Sequence, residues 1–210
     1  MTESSGKLRK WVLSWLEENV PIARIEHILR VEQLAIALAQ HHRLAPELAA
    51  QAGLMHDLAK CFKPKRLLKM AKAEGLVLDP VDEAAPHLLH AEVSAIVARD
   101  TFGIQNSQIL DAIRNHTLGR PGMDELSCVV FLADSLEPGR GHTAELNRLR
   151  QLSYQSLSAA IDYTCEYSLR QLLENRRLIH PRTILTRNWF LESSRNQSQN
   201  PLLSAYTAVV

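Results

Sequence analysis

Apolar residues recur at helical spacing along nearly the whole chain. Leu8, Trp11, Val12, Trp15 and Leu16 fall on one face of a first helix over about residues 7–19. Pro21 ends that segment and opens a second helix to about His42, with Ile25, Ile28, Leu29, Leu34, Ala35, Leu38 and Ala39 as its stripe. Pro46 opens a third helix that continues to about Lys60, and Pro64 a fourth that Gly75 closes as a C-cap. Residues 76–86, with Pro80, Pro86 and three acids, read as a loop. Further helices are predicted over about 87–102, stopped by Gly103, and from an Asn106 or Ser107 cap through Ile109, Leu110 and Ile113. Gly119-Arg120-Pro121-Gly122 is a turn. The next helix, about 124–136, is apolar almost throughout and is predicted to be central. Residues 138–141 break it, and helices over about 143–152, 153–176 and 181–193 follow. Residues 194–210 are rich in Ser, Asn and Gln and read as a flexible tail. No segment alternates with period two between turns, so no sheet is expected.

The expected fold is therefore all-α, a single-domain bundle of roughly eight to ten helices. Its parts are an N-terminal helix (1–20), a core (21–140), C-terminal helices that complete the bundle (141–193) and the tail (194–210). With 210 residues, 46% hydrophobic and 22% charged, the chain is globular rather than disordered. A net charge of +1 supplies no general field for nucleic acid or an acidic membrane. No apolar run approaches the roughly 18 residues of a membrane span, and the polar N-terminus is unlike a signal peptide, so a cytoplasmic location is the default. Cys61, Cys128 and Cys165 are far apart and read as plain buried or half-buried thiols, not as a disulfide framework or a CxxC site.

What needs explaining is the set of polar residues on apolar helix faces: His27, the adjacent His56 and Asp57, His90, His116 and Asp134. A buried imidazole or carboxylate must find a partner, and an unpaired carboxylate within Val129–Asp134 would cost several kcal/mol. Neighbouring side chains on a helix diverge by about 100°, so His56 and Asp57 meet only at a point off the helix flank. A metal ion held between packed helices meets that demand. Any one of these histidines alone is more often a satisfied core residue, and Asp134 alone could pair with an arginine. His41, His42 and His180 read as surface residues; His87 and His142 are ambiguous. The order H, HD, H, H, D across five helices carries more than any one member.

In that order the chain resembles the HD-domain superfamily of metal-dependent phosphohydrolases, from about Arg24 to Arg140. Within it the chain looks closest to the YqeK family of symmetrical diadenosine tetraphosphate hydrolases. The blocks are His27-x-x-Arg30-Val31, Gly53-Leu54-Met55-His56-Asp57-x-x-Lys60, Pro86-x-Leu88-Leu89-His90, Ala112-Ile113-x-x-His116-Thr117-x-Gly119 with Met123, and Ala133-Asp134-x-x-Glu137-Pro138-x-Arg140. The later segments Leu178-Ile179-His180-Pro181 and Arg187-Asn188-Trp189 also look like that family. Guanosine tetraphosphate hydrolases carry Glu-Asp soon after the HD pair, and the cyclic di-GMP phosphodiesterase branch carries Gly-Tyr-Pro; neither is present here. The stretch beyond Ser194 has no counterpart.

The resemblance implies a metal-binding core over 21–140 that holds two metal ions, iron foremost, with manganese or another transition metal as alternatives. His27, His56, Asp57 and Asp134 would hold one ion, and Asp57, His90 and His116 the other, Asp57 bridging. The implied chemistry is attack on phosphorus by a hydroxide bridging ions about 3.5–4 Å apart. Lys60, Arg30, Arg140 and Thr117 are the candidates for phosphate contact, beside Asp57 in the catalytic set, and Glu137 supports the ligands. For Arg30 and Arg140 a structural salt bridge, with Glu137 or Glu26 for instance, is an equal alternative. The implied partner is a dinucleoside polyphosphate or another nucleotide, with no nucleic acid and no membrane; a homodimer stays open. Competing readings are another HD-type nucleotidase, a non-catalytic nucleotide-binding module, and a helical scaffold with satisfied core histidines. No Gly-rich phosphate loop supports the dinucleotide independently.

Overall fold

The apolar run at the centre of the chain becomes the helix around which the others pack. In the computed structural model, which describes residues 3–198, it is α8 (Glu125–Leu136), and every residue from Leu126 to Ala133 is buried. Asp124 starts it by accepting a hydrogen bond from the Ser127 amide at 2.8 Å. Before it come α1 (Glu3–Asn19), α2 (Ile22–His41), α3 (Pro46–Met55), α4 (Pro64–Ala73), α5 (Pro80–Ala84), α6 (His90–Phe102) and α7 (Ser107–Asn115). After it come α9 (Ala144–Gln155), α10 (Leu157–Glu174) and α11 (Pro181–Ser198). Two 3-10 turns, Pro86–Leu89 and Pro138–Arg140, lead into α6 and out of α8. The all-α bundle is as expected, with eleven α-helices among the described residues, one above the expected range, and no strand among them.

Helix α2 lies against α3 and α8, α7 packs between α6 and α8, and α10 closes the other side against α8, α9 and α11. Of the predicted α2 stripe, Ile28, Ala35, Leu38 and Ala39 are fully buried, Ile25, Leu29 and Leu34 are half-buried, and Val31 joins the buried face. Gly103 ends α6 at φ +70° and Gly75 follows α4 at φ +79°, left-handed positions that favour glycine. Asn106 caps α7 through its side chain. No helix among the described residues is long and apolar enough to cross a membrane.

Five local expectations are corrected. The third helix stops at Met55, not near Lys60, because the backbone tightens into i→i−3 bonds from Leu58, Lys60 and Phe62. His56 and Asp57 therefore project from the end of α3 rather than from its flank. The stretch 76–86 contains α5, nucleated by a capping box in which Asp79 accepts from Val81 while Asp82 accepts from the Asp79 amide. At the C-terminal end α11 continues to Ser198, through the first residues of the expected tail, and 199–210 lie outside the described residues. His180 is buried, 3.4 Å from Asp82, not a surface residue, and Cys61 is exposed while Cys128 and Cys165 are buried.

Gly53 sets how closely α2 and α3 approach. A Cβ there would stand 3.0 Å from the Glu32 Cα and 3.4 Å from the Ala35 Cβ. Gly53→Val is expected to overpack this contact and lower stability by about 1–3 kcal/mol. Urea unfolding checks it, and an unchanged midpoint would mean that the helices can separate at no cost.

Candidate metal centre

The six residues singled out in the sequence meet at one point. Each histidine is oriented by its Nδ1 nitrogen. His56 Nδ1 lies 2.7 Å from the Gly53 carbonyl, His90 Nδ1 2.6 Å from that of His87, and His116 Nδ1 2.7 Å from that of Ile113. Each is an i→i−3 contact at the start or end of a helix, where a carbonyl is available. A carbonyl only accepts, so Nδ1 carries the proton and Nε2 presents a lone pair. His27, inside α2, has no free carbonyl in reach and uses Glu137 instead, at 3.0 Å.

All four Nε2 atoms then face Asp57 and Asp134. Asp57 Oδ1 lies 3.2 Å from His90 Nε2 and 3.6 Å from His116 Nε2. Its Oδ2 lies 3.5 Å from His56 Nε2 and 3.8 Å from His27 Nε2. Asp134 Oδ1 is 3.1 Å from His27 Nε2 and 3.9 Å from His56 Nε2. The two oxygens of Asp57 thus divide the imidazoles into two sets. Ligand atoms of His27, His56 and Asp134 lie close enough to share one cation, as do those of His56, Asp57 and His116. His90 adjoins the second set, 3.1 Å from His116 Nε2.

The donor chemistry fits a metal. His27 Nε2, His56 Nε2 and Asp57 Oδ1 are buried and have no hydrogen-bond partner. A pocket of inward-facing lone pairs is unfavourable unless a cation fills it, and imidazole with carboxylate suits transition metals. Protonation is a poor substitute. Burial lowers the His56 pKa to about 4 despite the nearby Asp57, and it lowers that of His90. Burial opposes ionisation of Asp57 and Asp134 as well. For Asp57 the surrounding His56, His116 and His90 outweigh it; for Asp134 it is His27, His56 and Arg140 that do so. Both carboxyls are held well below the usual range.

The residues around this cluster answer the sequence alternatives. Glu137, 2% exposed, accepts from His27, from Arg30 Nε at 2.5 Å and from the Gly139 amide at 2.5 Å. Burial opposes its ionisation too, and the bonds from Arg30, His27 and the Gly139 amide outweigh it, so its pKa is lowered. Arg30 does form the structural salt bridge with Glu137, and Arg140 pairs with Asp134 through its side chain and, at 2.8 Å, its carbonyl. Lys60 Nζ is 3.1 Å from His90 Nε2, and the Thr117 hydroxyl is 2.9 Å from His116 Nε2 and 3.1 Å from that of His90. The sequence reading missed Arg24, whose guanidinium donates to Asp57 Oδ2 at 3.0 Å. Its position three residues before His27, on the same helix face, was the available signal. Also missed were Tyr167, Gln171, Asn175 and Arg177, which line a cavity of about 510 Å³ beside Lys60, Thr117 and Arg140. They lie in and just beyond α10, far from every motif in sequence.

A family profile described as HD domain matches residues 24–139. The chain is 32% identical over 186 residues to "Bis(5'-nucleosyl)-tetraphosphatase, symmetrical" of Bacillus subtilis strain 168, a match covering 89% of this chain and 99% of that one. It is 33% identical to the protein of the same name from Halalkalibacterium halodurans, over 89% of this chain and 96% of that one. Its fold is similar to the crystal structure of a predicted HD superfamily hydrolase involved in NAD metabolism from Clostridium acetobutylicum. There the TM-score is 0.84 at 29% identity, covering 88% of this chain and 97% of that one.

The depressed histidine pKa values set a pH dependence for the metal-free protein. His56 takes up its proton near pH 4 when folded but near 6.5 when unfolded, so the unfolded state binds more protons between these values. Stability of the metal-free protein is therefore expected to fall as pH drops from about 6.5 toward 4, with no contribution from this group above that window. Urea midpoints at pH 7.5 and pH 5 check it; equal values would show that these imidazoles are not buried neutral.

Proposed function

The chain belongs to the HD domain family, and from that membership and the geometry of its centre we propose that it hydrolyses diadenosine tetraphosphate symmetrically to two ADP as a cytoplasmic, metal-dependent enzyme. The observation that carries the reading is the convergence of four unprotonated Nε2 atoms on two carboxylates, with three of the inward atoms buried and unpartnered. That is a site built for cations rather than a satisfied hydrogen-bond network. His27, His56, Asp57 and Asp134 would hold one ion, and Asp57, His90 and His116 a second, with iron the leading candidate. Two such ions lower the pKa of water and offset negative charge on phosphoryl oxygens. The relatives named for symmetrical tetraphosphate cleavage match this chain over nearly their whole length, which supports the substrate.

The chain's own residues account for binding and charge. Lys60 and Thr117 border the cavity beside His116 and donate to phosphate oxygens, Lys60 as a point charge and Thr117 through its hydroxyl. Arg30 and Arg140 are held by Glu137 and Asp134 along one edge, which fixes the guanidinium planes for phosphate while their other nitrogens stay free. In the reaction, water oxygen bonds to an inner phosphorus and the bridging P–O bond breaks. The bond that breaks joins that phosphorus to the central bridging oxygen, so the second ADP leaves through its terminal phosphate oxygen while the water oxygen stays on the first ADP and the water's proton passes to solvent. A phosphate with a second pKa of about 6 departs at neutral pH without a proton donor, so no general acid is required.

Elemental analysis paired with a nucleotide panel tests the reading. About two metal equivalents per chain, and diadenosine tetraphosphate giving only ADP, are expected; preference for a mononucleotide would replace the substrate, and metal-free protein under every loading condition would remove the mechanism. Asp57→Ala is expected to lose bound metal and to lower turnover by about 10²-fold or more, with the helical circular dichroism largely kept. Full turnover in that variant would exclude Asp57 as the shared ligand.

A further inference from the structure

The metal centre opens on two sides. One opening is the 510 Å³ cavity toward α10, already described. The other, about 350 Å³, lies between the start of α2 and the 3-10 turn after α8, with His27 on its wall beside Arg24, Arg30 and Arg140. Arg140 borders both. Each volume is in the range of small-molecule sites.

The second opening is shaped for anions. Its three guanidiniums are partly exposed, and the protein uses only part of each. Arg24 donates through one terminal nitrogen to Asp57, Arg30 through Nε to Glu137, and Arg140 through Nε and one terminal nitrogen to Asp134. The remaining nitrogens are free to donate. The 20-residue helix α2 begins here with Pro21, has no side-chain cap and no acid in its first turn. Its leading amides and the positive end of its dipole therefore add to the field. Arg30 reaches this position because residue 139 is glycine: a Cβ there would lie 2.8 Å from Arg30 Nε and 2.9 Å from its Cζ. His27, 5% exposed with Nε2 unpartnered, connects this opening to the metal centre.

We propose that this cavity is a second nucleoside-diphosphate half-site, so that a dinucleoside polyphosphate crosses the metal centre with one half in each opening. The inference rests on the reading above. It supplies the reason for symmetrical cleavage: the reacting phosphorus lies between two sites that each hold a diphosphate. The 510 Å³ side offers Tyr167, Gln171 and Asn175 to a base. The smaller side is lined by Arg24, Arg30 and Arg140, and the Glu137 carboxylate on the same wall is already engaged by His27, Arg30 and the Gly139 amide.

The test uses ADP, full-length protein and its metal. Equilibrium dialysis of labelled ADP is expected to give two sites per chain. Ala23→Glu puts a carboxylate in the first turn of α2, on the wall of the second cavity. An acid at that position favours the helix, so folding is retained, while phosphate is repelled. The variant should bind one ADP, and KM for diadenosine tetraphosphate should rise roughly tenfold, the size of one lost charged contact. Cys61 lines the same cavity and is the exposed thiol among the three cysteines, so ADP should slow its labelling by a maleimide in the parent protein and not in Ala23→Glu. One ADP per chain in the parent, or two in the variant with unchanged KM, would overturn the half-site while cleavage to ADP still upheld the hydrolase. Two ADP sites without any cleavage of the dinucleotide would uphold the half-site and remove the hydrolase.

Discussion

The structure depends on one carboxylate. Asp57 turns one oxygen toward His90 and His116 and the other toward His56 and His27, at a point where almost no solvent reaches. Each buried polar atom left without a partner costs about 1–3 kcal/mol, and three such atoms meet here. Their sum is comparable with the whole net stability of a domain, about 5–15 kcal/mol. A cation bound there would convert the same atoms from a cost into ligands, which would make the centre a contributor to folding as well as to chemistry.

Orientation of the imidazoles is supplied from behind. Three histidines use the nearest free carbonyl, which is why His56, His90 and His116 all sit where a helix ends or begins. His27 stands inside α2, where the carbonyls are taken by the helix, and it needs Glu137. That need extends outward. Glu137 is itself held by Arg30 and by the Gly139 amide, and Gly139 lacks the side chain that would displace Arg30. One imidazole thus fixes the geometry of the turn after α8 and the placement of Arg30 at the opening.

The helices beyond the HD domain match have a part in this. Arg182 donates to Glu92 on α6 at 2.8 Å, and the Thr186 hydroxyl donates to the Leu118 carbonyl at 3.0 Å. The first turns of α11 are thereby tied to the two segments that carry His90 and His116. Gly119, at φ +64°, is held against Thr186 in a conformation and a space that favour glycine. Buried His180 belongs to the same junction: its Nδ1 accepts from the Arg182 amide at 3.0 Å and caps the helix.

The sequence by itself determined the all-helical class, the buried stripes, most helix ends and the identity of the six residues at the centre. Each follows from local rules: apolar periodicity, proline and glycine at boundaries, and the cost of burying imidazole and carboxylate without a partner. Tertiary structure decided what those rules do not reach. Helix α3 ends at Met55, where i→i−3 bonds turn the backbone and His56 and Asp57 face a shared point. Arg24 pairs with Asp57 across 33 positions, and His180, just before α11, is buried beside Asp82 of α5. The division of the opening into two cavities, one walled by α10 and the other by the start of α2, exists only once distant helices meet. Contacts of that kind are set by the geometry of the whole bundle, and a linear pattern of residue types holds no record of it.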